Sequence, residues 1–400
     1  MSKVKIIPDL RFPEFENEGE WDKPKLSSVS DVIMGSSPSS LSYNENKIGL
    51  PLLQGNADIK NRLSTPRIYT TEITKECEIG DILLSVRAPV GTVAKSLHNA
   101  CIGRGISALS AKKPNSQEYI YQWLFSYESS WAKISQGGTF DAVNSDDIKN
   151  LLVPIPKPKE QQKIASCLSS LDALITAQSE KIEQLKLHKK GLMQNLFPQK
   201  GEKVPKYRFM EFENDGEWVK TKLGDSAIFI NGRAYKQEEL LETGKYRVLR
   251  VGNFFTNNNW YYSDLELEEN KYCEDGDLLY AWSASFGPRV WRGEKVIYHY
   301  HIWKLLPSES ISNDFLFVLL DNETERMKTQ NANGFALLHI TKSTIENWEC
   351  KIPKSKIEQE KIASCLSSLD AFITSQAEKI EQLKLHKKGL MQGLFPKINE

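Results

Sequence analysis

The chain has no excess of either charge: 52 Lys and Arg stand against 52 Asp and Glu in 400 residues. No global basic field draws it to nucleic acid or to an anionic membrane, so any such binding has to come from local surfaces. Cysteine is scarce as well. Cys77, Cys101, Cys167, Cys273, Cys350 and Cys365 form no CxxC pair, which fits buried thiols rather than a disulfide framework, and no metal site is expected. No apolar run reaches the roughly 18 residues of a membrane helix. The opening MSKVKIIPDLRFPEF also lacks an apolar segment of signal-peptide length, so a cytoplasmic protein without a membrane partner is expected.

Catalytic signatures are missing too. There is no GxxxxGK(S/T) phosphate loop, no GxGxxG turn and no HExxH. The Asn-Pro-Pro-Tyr or Asp-Pro-Pro-Tyr signature of amino-group methyltransferases is also absent. Asp275 and Asp277 imitate a metal pair, but Asp277 has a counterpart in Asp81, and a Gly-Asp turn entering a strand accounts for both. His188 and His386 fall on polar helix faces, where a solvated imidazole is the default. The expectation is a non-catalytic chain with no cofactor of its own. With 40% hydrophobic and 26% charged residues it is long enough for two or three folded domains.

What is present is a repeat. The segment IASCLSSLDALITAQSEKIEQLKLHKKGLMQNLFP at 164–198 returns at 362–396 with four differences: Leu174/Phe372, Ala177/Ser375, Ser179/Ala377 and Asn195/Gly393. PDLRFPEFENEGEW at 8–21 returns as PKYRFMEFENDGEW at 205–218. The repeated long segment reads as a helix. Ile164, Leu168, Leu171, Ile175, Gln178, Ile182 and Leu185 step by four and three, as do Ile362, Leu366, Leu369, Ile373, Gln376, Ile380 and Leu383. That is the heptad of a coiled coil, in which the two glutamines restrict register. Pro154, Pro156 and Pro158 keep the approach extended, and the nearly forty-residue helix would be roughly 55–60 Å long. Two like seams in one molecule meet at high effective concentration, so an intramolecular pair is expected. If the pair is antiparallel, it carries two modules related by a pseudo-two-fold axis and acts as a ruler between them.

The modules, 22–156 and 219–353, have diverged but keep anchors in the same order. Gly80-Asp81-Ile82-Leu83-Leu84 corresponds to Gly276-Asp277-Leu278-Leu279-Tyr280, Cys77 to Cys273, and Ile155-Pro156 to Ile352-Pro353. One fold with two surfaces follows. Asp81–Val86 and Tyr246–Val251 read as strands, while the stretches after Glu118 and Asp314 turn helical, so mixed α/β modules are expected.

A fixed scaffold holding two divergent modules resembles the specificity subunit of type I restriction-modification systems. The resemblance rests on the order module, helix, module, helix. It rests also on Glu160-Gln161-Gln162-Lys163-Ile164-Ala165 and Glu358-Gln359-Glu360-Lys361-Ile362-Ala363, and on Gly137-Gly138-Thr139 before Ile155-Pro156. The second module departs from it with Asn333-Gly334-Phe335. The resemblance implies target-recognition domains at 1–156 and 201–353 and spacer helices at 157–200 and 354–400. Its implied partners are double-stranded DNA, two copies of an adenine methyltransferase subunit, and restriction or motor subunits. S-adenosylmethionine, ATP and magnesium would belong to those partners. Different readers related by a dyad imply an asymmetric site whose half-site centres lie about 34 Å apart.

Candidate base readers lie where the repeats diverge beside an anchor: Arg87, Arg104 and Thr139 in the first module, and Ser283, Ser285, His299, Tyr300 and His301 in the second. Arginine offers a bidentate fork to guanine, while serine and histidine are less committed. Lys60, Arg62, Arg67, Arg250, Arg289 and Arg292 are candidate phosphate contacts. Neither module is basic, with about fourteen basic and thirteen acidic side chains in the first and about sixteen and nineteen in the second. Tight DNA binding therefore calls for help from partners. A two-headed protein-interaction adaptor is the rival reading; a nuclease with a cryptic metal site is a third.

Overall fold

The computed structural model describes residues 6–135, 142–255, 257–283, 285–330 and 340–396. The chain divides into two compact units, Met1–Glu180 with Ala377–Glu400, and Lys181–Gln376. The two 39-residue helices, Pro158–Leu196 and Lys356–Leu394, each begin in one unit and finish in the other.

Both units are built on one strand pattern. In unit 1 the strands Ser30–Met34, Ile106–Ala111, Ile82–Ser85 and Val93–Lys95 lie side by side, each antiparallel to the next. In unit 2 Ala227–Asn231, Ile302–Pro307, Leu278–Ala281 and Gly287–Val290 repeat that order and sense. A second sheet holds a parallel pair in each unit, Leu50–Leu53 with Ala100–Ile102 and Tyr246–Leu249 with Val296–Tyr298. Unit 1 adds Leu63–Ser64 and Ile59–Lys60 beyond Val93–Lys95. The common frame is mixed α/β, as the surviving anchors imply.

The aspartate of each Gly-Asp anchor has a structural task. Asp81 Oδ2 accepts from the Glu78 amide, and Asp277 Oδ2 from the Glu274 amide, both at 2.8 Å. Asp277 also receives Lys304 Nζ at 2.6 Å. These bonds close the turn that feeds the central strand, which is why both modules retain the pair.

The long helices run antiparallel, because in each unit the start of one packs against the end of the other. Ile164 and Leu168 share a core with Met391, Leu394 and Phe395 in unit 1; Ile362 and Leu366 share one with Leu196 and Phe197 in unit 2. Each fully buried side chain of this kind contributes about 1.5–3 kcal/mol. Over 173–188 the side chains that are not exposed are Ile175, Gln178, Ile182 and Leu185, and over 371–386 they are Ile373, Gln376, Ile380 and Leu383. Leu171 and Leu369 are half-buried in the same register. The less exposed positions of both helices thus keep the spacing of the heptad.

Each long helix is clasped where it begins. Arg11 forks onto Glu160 at 2.7 and 2.8 Å, and Arg208 onto Glu358 at 2.8 Å twice. Both carboxylates are 1% exposed. Gln161 Oε1 accepts from the Ser116 amide and its Nε2 donates to the Pro156 carbonyl; Gln359 repeats this with Ser312 and Pro353. The repeated Glu-Gln dipeptide thus ties three segments together: the opening of the repeat, the head of the module helix (Gln117–Ser135 in unit 1, Asn313–Gln330 in unit 2), and the proline approach.

Candidate nucleic-acid interface

The parallel strand pair of each unit ends at a turn that leads into the longest strand. In unit 1 this turn is Gly103-Arg104-Gly105; in unit 2 it is His299-Tyr300-His301. A backbone segment passes close beneath each. A Cβ on Gly35 would lie 2.2 Å from the Gly103 carbonyl oxygen, and one on Gly232 would lie 2.4 Å from that of His299. Glycine is needed at both places because no side chain fits. Gly35 donates its amide to Ile106 at 2.9 Å and Gly232 to Ile302 at 3.1 Å, so the two turns are equivalent in three dimensions.

The unit 1 turn is narrow, since a Cβ on Gly105 would stand 2.2 Å from the Gln54 carbonyl oxygen. Arg104 projects from it, exposed, with its amide and Nε bonded to Ser37 Oγ at 3.1 and 3.4 Å. Gln54, at the end of the adjacent parallel strand, donates Nε2 to Tyr43 Oη at 2.9 Å. The Val86 amide bonds to Gly105, which brings the exposed Arg87 beside the same turn.

The unit 2 turn is aromatic. His299 stacks on Tyr235 with ring centres 6.3 Å apart, Tyr300 lies 3.9 Å from His301, and His301 meets the edge of Trp282 at 4.9 Å. Burial, helped by the charges of His301 and Arg250, lowers the His299 imidazole to about 4, so it is neutral at physiological pH. Arg250 follows Leu249, whose carbonyl accepts the His299 amide. Its guanidinium lies 4.2 Å from the Tyr261 ring centre. Arg250 Nε and Tyr235 Oη are both out of contact with solvent and without a hydrogen-bond partner. The neighbouring Arg233 is occupied by Glu239 at 2.9 and 2.7 Å, which holds that carboxyl down at about 2.

The structure thus gathers Arg87 and Arg104 at one turn, and Ser283, His299, Tyr300, His301 and Arg250 at the other. Ser283 is buried, whereas Ser285 is exposed on the next bend. Thr139 lies outside the described residues. Among the phosphate candidates, Arg62 pairs with Glu128 and its guanidinium lies 4.5 Å from the centre of the Phe125 ring. Arg67 pairs with Asp58 at 2.9 Å, and Asp58 in turn accepts from the Gln54 amide. Arg292 pairs with Asp275 at 3.1 Å; Lys60 and Arg289 are exposed on strands. Gln54, Ser37 and Tyr235 escaped the sequence reading. The strand pairing that carries Gln54 and Arg250 to equivalent places has no local signature.

A family model, the type I restriction modification DNA specificity domain, matches residues 18–187 and again residues 215–385, one match to each repeat. The chain belongs to this family. It is 34% identical over 177 residues to the putative type I restriction enzyme MjaX specificity subunit of Methanocaldococcus jannaschii, covering 44% of this chain and 42% of that protein. It is 30% identical over 249 residues to the MjaIX specificity subunit of the same organism, covering 58% and 57%. These alignments span about half the length of both curated relatives. Among solved structures, the S subunit of a type I restriction-modification system from M. genitalium superposes with a TM-score of 0.59 at 18% identity, over 98% of this chain and 100% of that one. A chain from a structure on complex assembly and conformational transition of the type I system gives 0.60 at 17% identity, over 94% and 97%. At such identities the likeness shows the fold. Among the described residues no helix of this specificity-family chain is long and apolar enough to cross a membrane.

Proposed function

We propose that this chain is the non-catalytic DNA-recognition subunit of a type I restriction-modification enzyme. The observation that carries the proposal is the duplicated specificity domain: two modules of one fold, each matched by the family model, with different side chains on equivalent turns. Each module reads one half of a bipartite, asymmetric site. Contacts to phosphate fix position, and contacts to base edges choose sequence. The repeated helices set the gap between half-sites and receive two copies of an adenine methyltransferase subunit, one for each copy of the repeated surface. Restriction subunits complete the complex, and S-adenosylmethionine, ATP and magnesium act on those partners in the cytoplasm. Because neither module carries an excess of positive charge, the partners supply much of the phosphate contact.

The test is a map of methyladenine in DNA from cells that carry the partner methyltransferase, with and without this chain. Loss of methylation at one bipartite, asymmetric motif is the expected result. An unchanged map, with the methyltransferase active and the chain expressed, overturns the proposal in favour of a protein-interaction adaptor.

A further inference from the structure

The turns of the two units differ in a way that simple divergence of a surface does not require. In unit 1 the turn itself carries an arginine, Arg104, and the end of the adjacent parallel strand carries an amide, Gln54. In unit 2 the corresponding strand end carries the arginine, Arg250, and the turn carries Tyr300 between two histidines. The correspondence rests on backbone pairing: Ile102 lies opposite Leu53, and Tyr298 opposite Leu249, the residues just before each turn and each strand end. The guanidinium has changed strands while remaining at the same end of the same pair.

We propose that Arg104 and Arg250 are the specificity-determining residues of the two recognition modules, each reading a guanine in its own half-site. This rests on the DNA-recognition reading above. A guanidinium reads guanine through paired bonds to O6 and N7 in the major groove, a recognition that needs a held fork rather than a loose charge. Both forks are held. Ser37 Oγ accepts from the Arg104 amide and from its Nε, and the close-packed Gly-Arg-Gly turn fixes the backbone from which the exposed side chain springs. Arg250 is stacked on Tyr261. Its Nε is shielded from solvent without a partner, so paired bonds to a base would fall to the outer amino groups of the guanidinium. No carboxylate is bonded to either fork among the described residues, in contrast to Arg62, Arg67, Arg233 and Arg292, each of which is paired. Since Arg104 springs from a turn and Arg250 from a strand end, the two guanines need not sit at equivalent positions of their half-sites.

The test compares methyladenine maps for the unaltered chain with those for Arg104→Ala, Arg104→Lys, Arg250→Ala and Arg250→Lys, each with the partner methyltransferase. Each alanine and each lysine variant is expected to lower the preference for one G·C pair by about tenfold or more, in one half-site, leaving the other half-site unchanged. The Arg104 and Arg250 variants should affect opposite halves. A motif that stays intact while total methylation falls in the alanine variants and recovers in the lysine variants identifies phosphate contacts and overturns the proposal. So does relaxation of the same half-site by both arginines. Where a variant abolishes methylation altogether, the purified complex is titrated with duplexes that differ at single pairs of the affected half-site. Loss of discrimination at one G·C pair supports the assignment, and full discrimination at every pair, or loss of binding to all duplexes alike, overturns it. Absence of any motif with the unaltered chain overturns the DNA-recognition reading itself, which separates the two failures.

Discussion

Lys387 and Lys189 occupy the same place in the two repeats, yet their surroundings differ. In unit 1 Lys387 Nζ lies 2.7 Å from both oxygens of Asp172, which also accepts from Gln122 Nε2 at 2.8 Å. The ammonium is 4.5 Å from the centre of the Phe125 ring, as is the guanidinium of Arg62. In unit 2 Lys189 reaches Asp370 at 2.8 Å and a second carboxylate, Asp321, at 3.7 Å. Asp321 stands on its module helix where Phe125 stands on the other: Phe125 is nine residues beyond Ser116, and Asp321 nine beyond Ser312, the two residues whose amides the clasp glutamines accept. Burial lowers the Lys387 ammonium and raises the Asp321 carboxyl. The helix pair keeps one crosswise lysine-aspartate exchange, and each module finishes its solvation differently, with a ring in one unit and a carboxylate in the other. Each module is therefore matched to the helix residues it packs against.

The largest effect that sharpens this comparison is expected at the clasps. Arg11→Ala and Arg208→Ala each strand a buried carboxylate, a loss of about 3–5 kcal/mol. The loss should be the smaller in unit 2, because Trp218 Nε1 also donates to Glu358 at 3.2 Å, whereas Trp21 Nε1 has no partner. Hydrogen exchange of the two units in urea measures both, and equal losses would break the distinction.

Next in size is the crosswise exchange. Lys189→Ala leaves Asp370 and Asp321 facing each other, while Lys387→Ala leaves Asp172 still bonded to Gln122. We expect a loss of about 1.5–3 kcal/mol for the first and less for the second, read by the same exchange measurement. The reverse ranking would show that the Phe125 ring matters more than the second carboxylate.

A third contrast is a pH dependence confined to unit 2. His299 titrates at about 4 in the folded chain against an ordinary 6.5, so between these values the unfolded chain holds more protons. Stability of unit 2 should fall as pH falls through that window, and unit 1, with Gly103 at the equivalent place, should not follow it. His299→Gln should remove the pH-dependent loss; persistence of the same slope would assign it to other groups.

The scaffold was legible in the sequence because its signals are periodic or duplicated. The seam positions from Ile164 to Leu185 and from Ile362 to Leu383 follow from spacing alone, and the equivalence of the modules follows from anchors such as Asp81 and Asp277. The interface was only half legible. Divergence beside an anchor pointed to Arg104 and His299, since a turn between two kept strands is local information. Arg250 could not be told from an ordinary surface charge, nor Gln54 from a spacer, until the parallel pairing set each beside its turn. The ion-pair partners of Arg62 and Arg67 leave no trace in the spacing of the sequence. Glu128 is 66 residues from Arg62, a separation at which pairing leaves no pattern. Asp58 is nearer, but it meets Arg67 through the strand geometry between them.

The division of the long helices between the units bears on the order in which the protein is made. Unit 2, Lys181–Gln376, is one continuous stretch of chain. Unit 1 is not, for its core includes Met391, Leu394 and Phe395, and the Phe395 ring lies 5.6 Å from that of Tyr119. Synthesis runs from the N-terminus, so the first module to emerge from the ribosome is the last to be completed. Until residue 395 arrives, the first module lacks the ring that closes on Tyr119, while the second already has both helix segments it needs.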